Sequence, residues 1–264
     1  MQQEFLERAT KLGLTCDCLM SGSHLCNIAL VGEAPGKREC ELRAPFVGGS
    51  GKMLWDRLKS YGITRTNAYS TNAVKQHLSA TAMSEDARHV LSKQDEALWK
   101  EMLLWELQQL PNLKLVVVLG NLALRFVADI EGISKWRGSV LDVQLGTKQI
   151  KVICCYNPAA VLREPKLEPT FNFDLYKIQR VLGGLYKPYK IEYLINPTCN
   201  DAIAYINLLH AARDSVPVSL DIEVINNEVA CVGIGNSAHE AMCIPFRDVF
   251  DNIYSVQEEY KIWL

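Results

Sequence analysis

Two polar residues in otherwise apolar or glycine-rich stretches are of types that can do chemistry. Glu33 lies in the sequence VGEAPG, and Asn157 ends the apolar run VICCYN, directly before Pro158. A carboxylate can orient a water molecule or stabilise a positive charge, and an amide can donate a hydrogen bond to a developing negative charge. Glu33 and Asn157 therefore mark two candidate functional loops.

Short apolar runs that stop at glycine or asparagine predict the elements that position these groups. Such runs, typical of buried parallel strands, cover residues 27–33, 114–120 and 152–157. Helical patterns cover residues 51–62, 92–110 and 121–130, with Leu98, Met102 and Trp105 on an apolar stripe and Asn121 as a helix cap. Alternating strands and helices predict an α/β fold whose functional groups gather at the carboxyl ends of the strands.

The charge of the chain changes sign near residue 186. Residues 1–186 carry 23 Lys and Arg against 19 Asp and Glu, whereas residues 187–264 carry 5 against 11. A second set of apolar alternations also begins there, with predicted strands at 191–196, 218–224, 228–236 and 240–246 and a helix at 200–214. We therefore predict two domains, 1–186 and 187–264.

The apolar content, net charge and cysteine count of the chain indicate which class of protein it belongs to. The chain has 264 residues and 48% apolar content, but no apolar run approaches the roughly 20 residues that span a bilayer. Its net charge is only −2, and its nine cysteines do not form an even disulfide framework. These features predict a soluble protein of a reducing cytoplasm with no membrane partner.

Four stretches, in order between residues 27 and 180, resemble the successive motifs of the uracil-DNA glycosylase superfamily. They are VGEAPGKRECELRAPFVGGSGKML, YSTNAVK, VVVLGNLAL and YNPAAVLREPKLEPTFNFDLYKI. The resemblance is strongest to family 4 and related bacterial and phage branches. It implies a three-layer parallel-sheet domain that removes uracil from DNA, in a bacterial or phage-infected cell.

The resemblance also implies a base pocket. Phe46 would stack on a uracil flipped out of the DNA, and Asn72 would read its polar edge, since an amide both donates and accepts. The turn that follows the first strand would bring backbone close to the sugar and base through Gly32, Ala34, Pro35 and Gly36. The alternatives are that Phe46 is a core residue and that Asn72 caps a turn.

Glu33 would lie near the anomeric carbon, where it could orient water or stabilise the cationic sugar. Related family 1 enzymes place an aspartate one position later, where this chain has Ala34. Both roles therefore stay open, as does a glutamate that merely faces solvent on a tight turn.

The superfamily typically has a histidine at the position of Asn157, where it hydrogen-bonds the uracil O2 as negative charge develops, although some mismatch-directed branches have asparagine there and remain enzymes. An amide is a weaker donor, so we expect retained activity that is lowered by about 10- to 1000-fold. The loop would contact DNA, with Val161 or Leu162 as a wedge and Arg163 on a phosphate. The predicted DNA-binding residues are Pro158, Ala159, Ala160, Val161, Leu162 and Arg163.

Family 4 enzymes also carry an iron–sulfur cluster on four cysteines. This chain lacks the second pair, because Gln76 follows Lys75 and no cysteine occurs between residues 41 and 153. We expect the glycosylase to need no cofactor. The remaining Cys16, Cys18, His24 and Cys26 are either a possible zinc set or a vestige of the lost cluster.

The second region resembles the start of the proofreading exonuclease domain of family A DNA polymerases, a ribonuclease-H-like α/β fold. Asp221 and Glu223 are two residues apart on a predicted strand, so both carboxylates face one side, as shared Mg²⁺ coordination requires. The alternative is a solvated strand face. We expect an incomplete exonuclease domain, with the remainder of a phage-type polymerase in cis or as a separate chain.

The sequence is compatible with three functions. The first is an enzyme that excises uracil from DNA ahead of a polymerase. The second is a non-catalytic module that binds uracil or template DNA. The third is a polymerase fragment whose extra domain binds no DNA.

Overall fold

The computed structural model of the chain describes residues 1–78, 91–188, 192–237, 239–247 and 253–263. It divides into two units, Met1–Tyr186 and Lys187–Leu264. Among the described helices, none is long and apolar enough to cross a membrane.

A five-stranded mixed sheet forms the centre of the first unit. Its strands, in spatial order, are β2 (Tyr69–Asn72), β1 (Ile28–Gly32), β3 (Leu115–Leu119), β5 (Lys148–Cys155) and β4 (Val140–Leu145). The first four are parallel, and β4 is antiparallel to β5. The expectation of a parallel sheet therefore holds for four strands. The fifth is antiparallel because a tight turn at Gly146, whose φ is 61°, reverses the chain between β4 and β5.

Helices cover both faces of this sheet. They are α1 (Gln2–Lys11), α2 (Lys37–Leu42), α3 (Gly49–Lys59), α4 (Lys93–Gln108), α5 (Asn121–Ala128), α6 (Ile133–Trp136), α7 (Pro158–Arg163) and α8 (Glu168–Leu182), with a 3-10 turn at Pro165–Leu167. Strand β3 shows the layering, because Val116 and Val118 enter one apolar core and Val117 enters the other. Burial on both faces explains why the parallel strands read as continuous apolar runs.

Two helix predictions are corrected by the structure. On α4, Met102 is buried but Leu98 and Trp105 are only half-buried, because the buried stripe is centred on Trp99 and Leu103. Helix α5 is capped by Gly120 rather than by Asn121. The Asn121 side chain instead accepts a hydrogen bond from the Ile133 backbone at 2.7 Å, so it fixes the start of α6.

The second unit has a four-stranded sheet. Its order is β6 (Glu192–Ile195), β9 (Glu240–Pro245), β8 (Glu228–Gly235) and β7 (Ser219–Ile225), with helices α9 (Cys199–Ala211) and α10 (Val256–Trp263). Strands β6 and β9 are parallel, and the other pairs are antiparallel. Thr198 and Asp201 form a capping box that starts α9. A small core that includes Val232, Met242 and Phe246 holds the unit together.

Candidate active site

The predicted catalytic residues meet at the carboxyl ends of the parallel strands. Backbone hydrogen bonds of 2.7 Å from Ala73 to Gly32 and 2.9 Å from Val74 to Glu33 tie the ends of β2 and β1 together. Gly120 donates to the Cys155 carbonyl at 3.0 Å, which ties β3 to β5. The four chain segments that carry the motifs therefore lie side by side at this edge of the sheet.

Glu33 and Asn157 are in direct contact. The Asn157 side chain caps α7 by accepting from the Ala159 backbone at 2.8 Å, and its Nδ2 donates to Glu33 Oε2. Glu33 Oε1 accepts from the Leu122 backbone at 3.1 Å, at the start of α5. Because an amide nitrogen carries two hydrogens, Asn157 keeps one for a substrate. The segment 158–163, expected to be a loop, forms a short helix, since Asn157 caps it and proline suits a first helical position.

Gly120 makes room for this pair and was missed by sequence reasoning. Its φ is 109°, a conformation that L side chains rarely adopt. A Cβ at this position would lie 2.5 Å from the Glu33 carboxyl carbon. Both the close approach of the Glu33 carboxylate and the positive φ therefore explain the glycine in VVVLG.

Phe46 and Asn72 converge above Gly32. A Cβ on Gly32 would lie 2.3 Å from Asn72 Oδ1 and 3.0 Å from Phe46 Cζ. Phe46 is 8% exposed and Asn72 is 4% exposed, and Asn72 is the last residue of β2 rather than part of a turn. An aromatic ring and an amide thus face the same short stretch of backbone, the combination that reading a flat base requires.

A buried polar network fixes the backbone of Asn72. Lys75 Nζ donates to the Asn72 carbonyl at 2.5 Å and forms an ion pair with Glu106 at 2.6 Å. Tyr69 donates to the other Glu106 oxygen at 2.9 Å, and burial, with Glu106 nearby, raises the pKa of Tyr69. His77 Nδ1 lies 2.9 Å from the Pro35 carbonyl, so the segment after β2 also contacts the turn after β1.

The two candidate wedge residues on α7, Val161 and Leu162, differ in exposure. Val161 is 2% exposed and packs in the core, whereas Leu162 is 50% exposed. Arg163 is also exposed, as a contact to a phosphate requires. Pro158 is buried, while Ala159 and Ala160 are half-buried beneath the exposed tip. Leu162 is therefore the side chain that can enter DNA without leaving the core.

Three cysteines near the amino terminus, Cys16, Cys18 and Cys26, are wholly or partly buried. Within the described ranges, no three His, Cys, Asp or Glu side chains are grouped to hold a metal ion. Burial raises the pKa of Cys16 to about 11 and that of Cys18 to about 12, so both are protonated thiols in the metal-free chain. His24 is exposed whereas Cys26 is buried. The zinc set Cys16, Cys18, His24 and Cys26 is likewise not assembled in the described structure.

Asp221 and Glu223 lie on β7, an edge strand whose seven residues are all exposed. Their ladder partners are Gly233 and Cys231, which places both carboxylates on the same face. The described part of the second unit places no third metal-binding side chain beside them. This pair is an exposed strand face rather than a formed metal site.

Comparison with known proteins gives the family context of the first unit. Residues 21–177 match the family model of the uracil DNA glycosylase superfamily. A type-4 uracil-DNA glycosylase of Archaeoglobus fulgidus is 35% identical over 179 residues, which cover 66% of this chain and 85% of that protein. A type-4 uracil-DNA glycosylase of Thermotoga maritima is 33% identical over 138 residues, covering 52% and 66%.

A longer relative also matches. A DNA polymerase of Bacillus phage SP01 is 27% identical over 164 residues, which cover 62% of this chain but only 16% of that polymerase.

Proposed function

Because the chain belongs to the uracil-DNA glycosylase superfamily and is a glycosylase-like hydrolase, we propose that it hydrolyses the N-glycosidic bond of deoxyuridine in DNA. The observation that carries this proposal is the meeting of Phe46 and Asn72 at one sheet edge with the bonded pair Glu33 and Asn157. Type-4 uracil-DNA glycosylases are among its relatives, and we propose for this chain the activity that their name states.

The proposed mechanism assigns a step to each group. Phe46 stacks on the flipped base and Asn72 pairs with its edge. As the C1′–N1 bond breaks, the electron pair moves onto uracil, and the free Nδ2 hydrogen of Asn157 donates to O2. Hydrogen bonds from the Leu122 backbone and the Asn157 side chain hold the Glu33 carboxylate in place, and we assign it as a fixed negative charge that stabilises the cationic sugar. Water then adds to C1′ and loses a proton to the solvent, the uracil anion takes up a proton from the solvent, and an abasic site and free uracil remain.

We expect this reaction to need no added metal and no iron–sulfur cluster, because the groups assigned to it are side chains. A labelled oligonucleotide with one uracil should be cut after alkaline treatment, equally with and without EDTA. A matched oligonucleotide with thymine should stay intact. Loss of cutting on EDTA treatment would contradict the proposal, as would equal cutting of the two substrates.

The substitution Asn157→His should raise the single-turnover excision rate by about tenfold, since an imidazole is a stronger donor to the uracil anion. DNA affinity should barely change because the gain belongs to the transition state. Rate and melting temperature are measured together, with exposed Asn112→His as the control. A slower variant of unchanged melting temperature would show instead that the amide itself is the tuned donor.

A second candidate function is a non-catalytic module that binds uracil-containing DNA. It is favoured by the amide at position 157, where the superfamily has histidine, and by the bond that this amide already makes to Glu33. Such a module would retain uracil-containing DNA without releasing base. The EDTA-controlled cutting assay separates it from the enzyme.

For residues 187–264 we propose an incomplete part of a ribonuclease-H-like exonuclease domain of a phage-type polymerase, with the rest of that polymerase as partner. The support is the Asp221 and Glu223 pair on one strand face. The match to the phage polymerase covers 164 residues, more than the second unit holds, so it supports only a relation between the chain and such polymerases. A complete site of this kind would use Mg²⁺.

The substitution Asp221→Ala should leave both uracil excision and 3′ trimming of DNA by this 264-residue chain unchanged. Mg²⁺ demands near-octahedral coordination, and two exposed carboxylates make a poor site for it. Trimming is measured on a 3′-labelled strand in Mg²⁺ buffer. Mg²⁺-dependent trimming that disappears in the variant would contradict this expectation.

A further inference from the structure

We propose that Arg65 is a positioning residue that holds the Phe46 ring in place for the flipped base, together with Glu39. The inference rests on the proposed function. It concerns residues 43–48, here named the stacking loop, which connect α2 to α3. Arg65 lies outside this loop, in the turn that precedes β2, and belongs to none of the four family motifs.

The Arg65 guanidinium holds the backbone carbonyls on both sides of the Phe46 Cα. Its Nη1 donates to the Pro45 carbonyl at 3.1 Å, and its Nη2 donates to the Phe46 carbonyl. The same group lies over the Trp55 ring, 4.8 Å from its centroid. A planar fork that spans two successive carbonyls while stacking on an indole suits arginine and not lysine.

The backbone of Phe46 needs such support. Its φ is 55°, in the left-handed region that bulky residues avoid. Helix α3 approaches it so closely that a Cβ on Gly51 would lie 2.1 Å from the Phe46 carbonyl carbon. A conformation of this kind persists only where the surroundings over-determine it. Without Arg65, Phe46 can relax toward negative φ, which carries its ring away from Gly32 and Asn72.

Glu39 holds the other end of the stacking loop. This buried side chain accepts a hydrogen bond from the Gly48 backbone at 2.8 Å. Its carboxylate fits only because Gly36 and Gly48 lack side chains, since added Cβ atoms would lie 2.7 Å and 3.0 Å from its oxygens. Glu39 therefore joins the turn after β1 to the stacking loop, opposite the carbonyls that Arg65 holds.

A double-mutant cycle tests whether Arg65 acts through Phe46. Arg65→Met should lower excision by about 100-fold, the order of loss that follows a misplacement of about 1 Å, and should raise the inhibition constant of free uracil. Arg65→Met combined with Phe46→Leu should be no slower than Phe46→Leu alone. Arg65→Lys, which can hold one carbonyl, should recover part of the loss. Arg57→Met, at an exposed ion pair with Glu168, is the matched control and should change nothing.

Losses that add in the double variant would overturn the proposal, as would an unchanged inhibition constant for uracil. Amide hydrogen exchange keeps the test independent of activity. Exchange in residues 46–51 should speed up in Arg65→Met and not in Arg57→Met, even if the wild-type chain releases no uracil and the proposed function itself fails. Unchanged exchange overturns the proposal, and Arg65→Lys supplies the measurement if the methionine variant does not fold.

Discussion

Asn72→Asp is expected to lower uracil excision by at least about 100-fold while leaving the affinity for undamaged DNA nearly unchanged. The substitution replaces an N–H donor with a carboxylate oxygen that repels the uracil O4 acceptor. A site built to hydrogen-bond one polar edge discriminates strongly when that pairing is lost. Asn72 is 4% exposed beside Phe46, so solvent cannot replace the missing bond. Single-turnover excision and DNA binding are the measurements.

The control for this variant is Asn112→Asp, which introduces the same charge at an exposed position. It should leave excision unchanged. If Asn72→Asp lowered excision and binding to undamaged DNA equally, Asn72 would be a structural residue and not the reader of the base.

Gly120→Ala is expected to lower excision by about 100-fold, the order of loss that follows a misplacement of about 1 Å of a catalytic group. Its Cβ would lie 2.5 Å from the Glu33 carboxyl carbon, so Glu33 must move away from Asn157. The measurement is the single-turnover rate together with the melting temperature.

Gly62→Ala is the matched control, because Gly62 also has a positive φ, 74°, yet its Cβ would meet nothing within 4 Å. Gly62→Ala should therefore show only the cost of backbone strain, a loss of about 1 kcal/mol in the free energy of unfolding, with no change in the excision rate. Equal rates for Gly120→Ala and Gly62→Ala would contradict the role given to the Glu33–Asn157 contact.

The sequence predicted the elements that carry strong apolar periodicity. Strands β1, β3 and the end of β5 are buried on both faces, so their apolar runs are continuous and readable. Strand β2 (Tyr69–Asn72) escaped notice because its four residues, YSTN, are mostly polar although all are buried. Strand β4 was missed because it is an edge strand of mixed polarity that gains its stability from pairing with β5.

The residues of the candidate site were also predictable only in part. Glu33 and Asn157 stand out by residue type in glycine-rich or apolar stretches, whereas Phe46 and Asn72 were predicted only from the resemblance to the family. Gly120, Arg65 and Glu39 matter because of contacts with other segments of the chain, namely with Glu33, with the Pro45 and Phe46 carbonyls and with Gly48. A single sequence holds no signal for such contacts. The Asn121 prediction failed for this reason, since its partner Ile133 lies 12 residues further along the chain.

The most direct test of the account is direct detection of free uracil, with the protein in excess over a uracil-containing duplex. An enzyme with the site proposed here releases one uracil per DNA molecule in a single exponential phase and leaves an abasic strand, and Asn72→Asp slows that phase. Tight, uracil-dependent retention of the DNA with no free base would contradict the account and identify the first unit as a binding module.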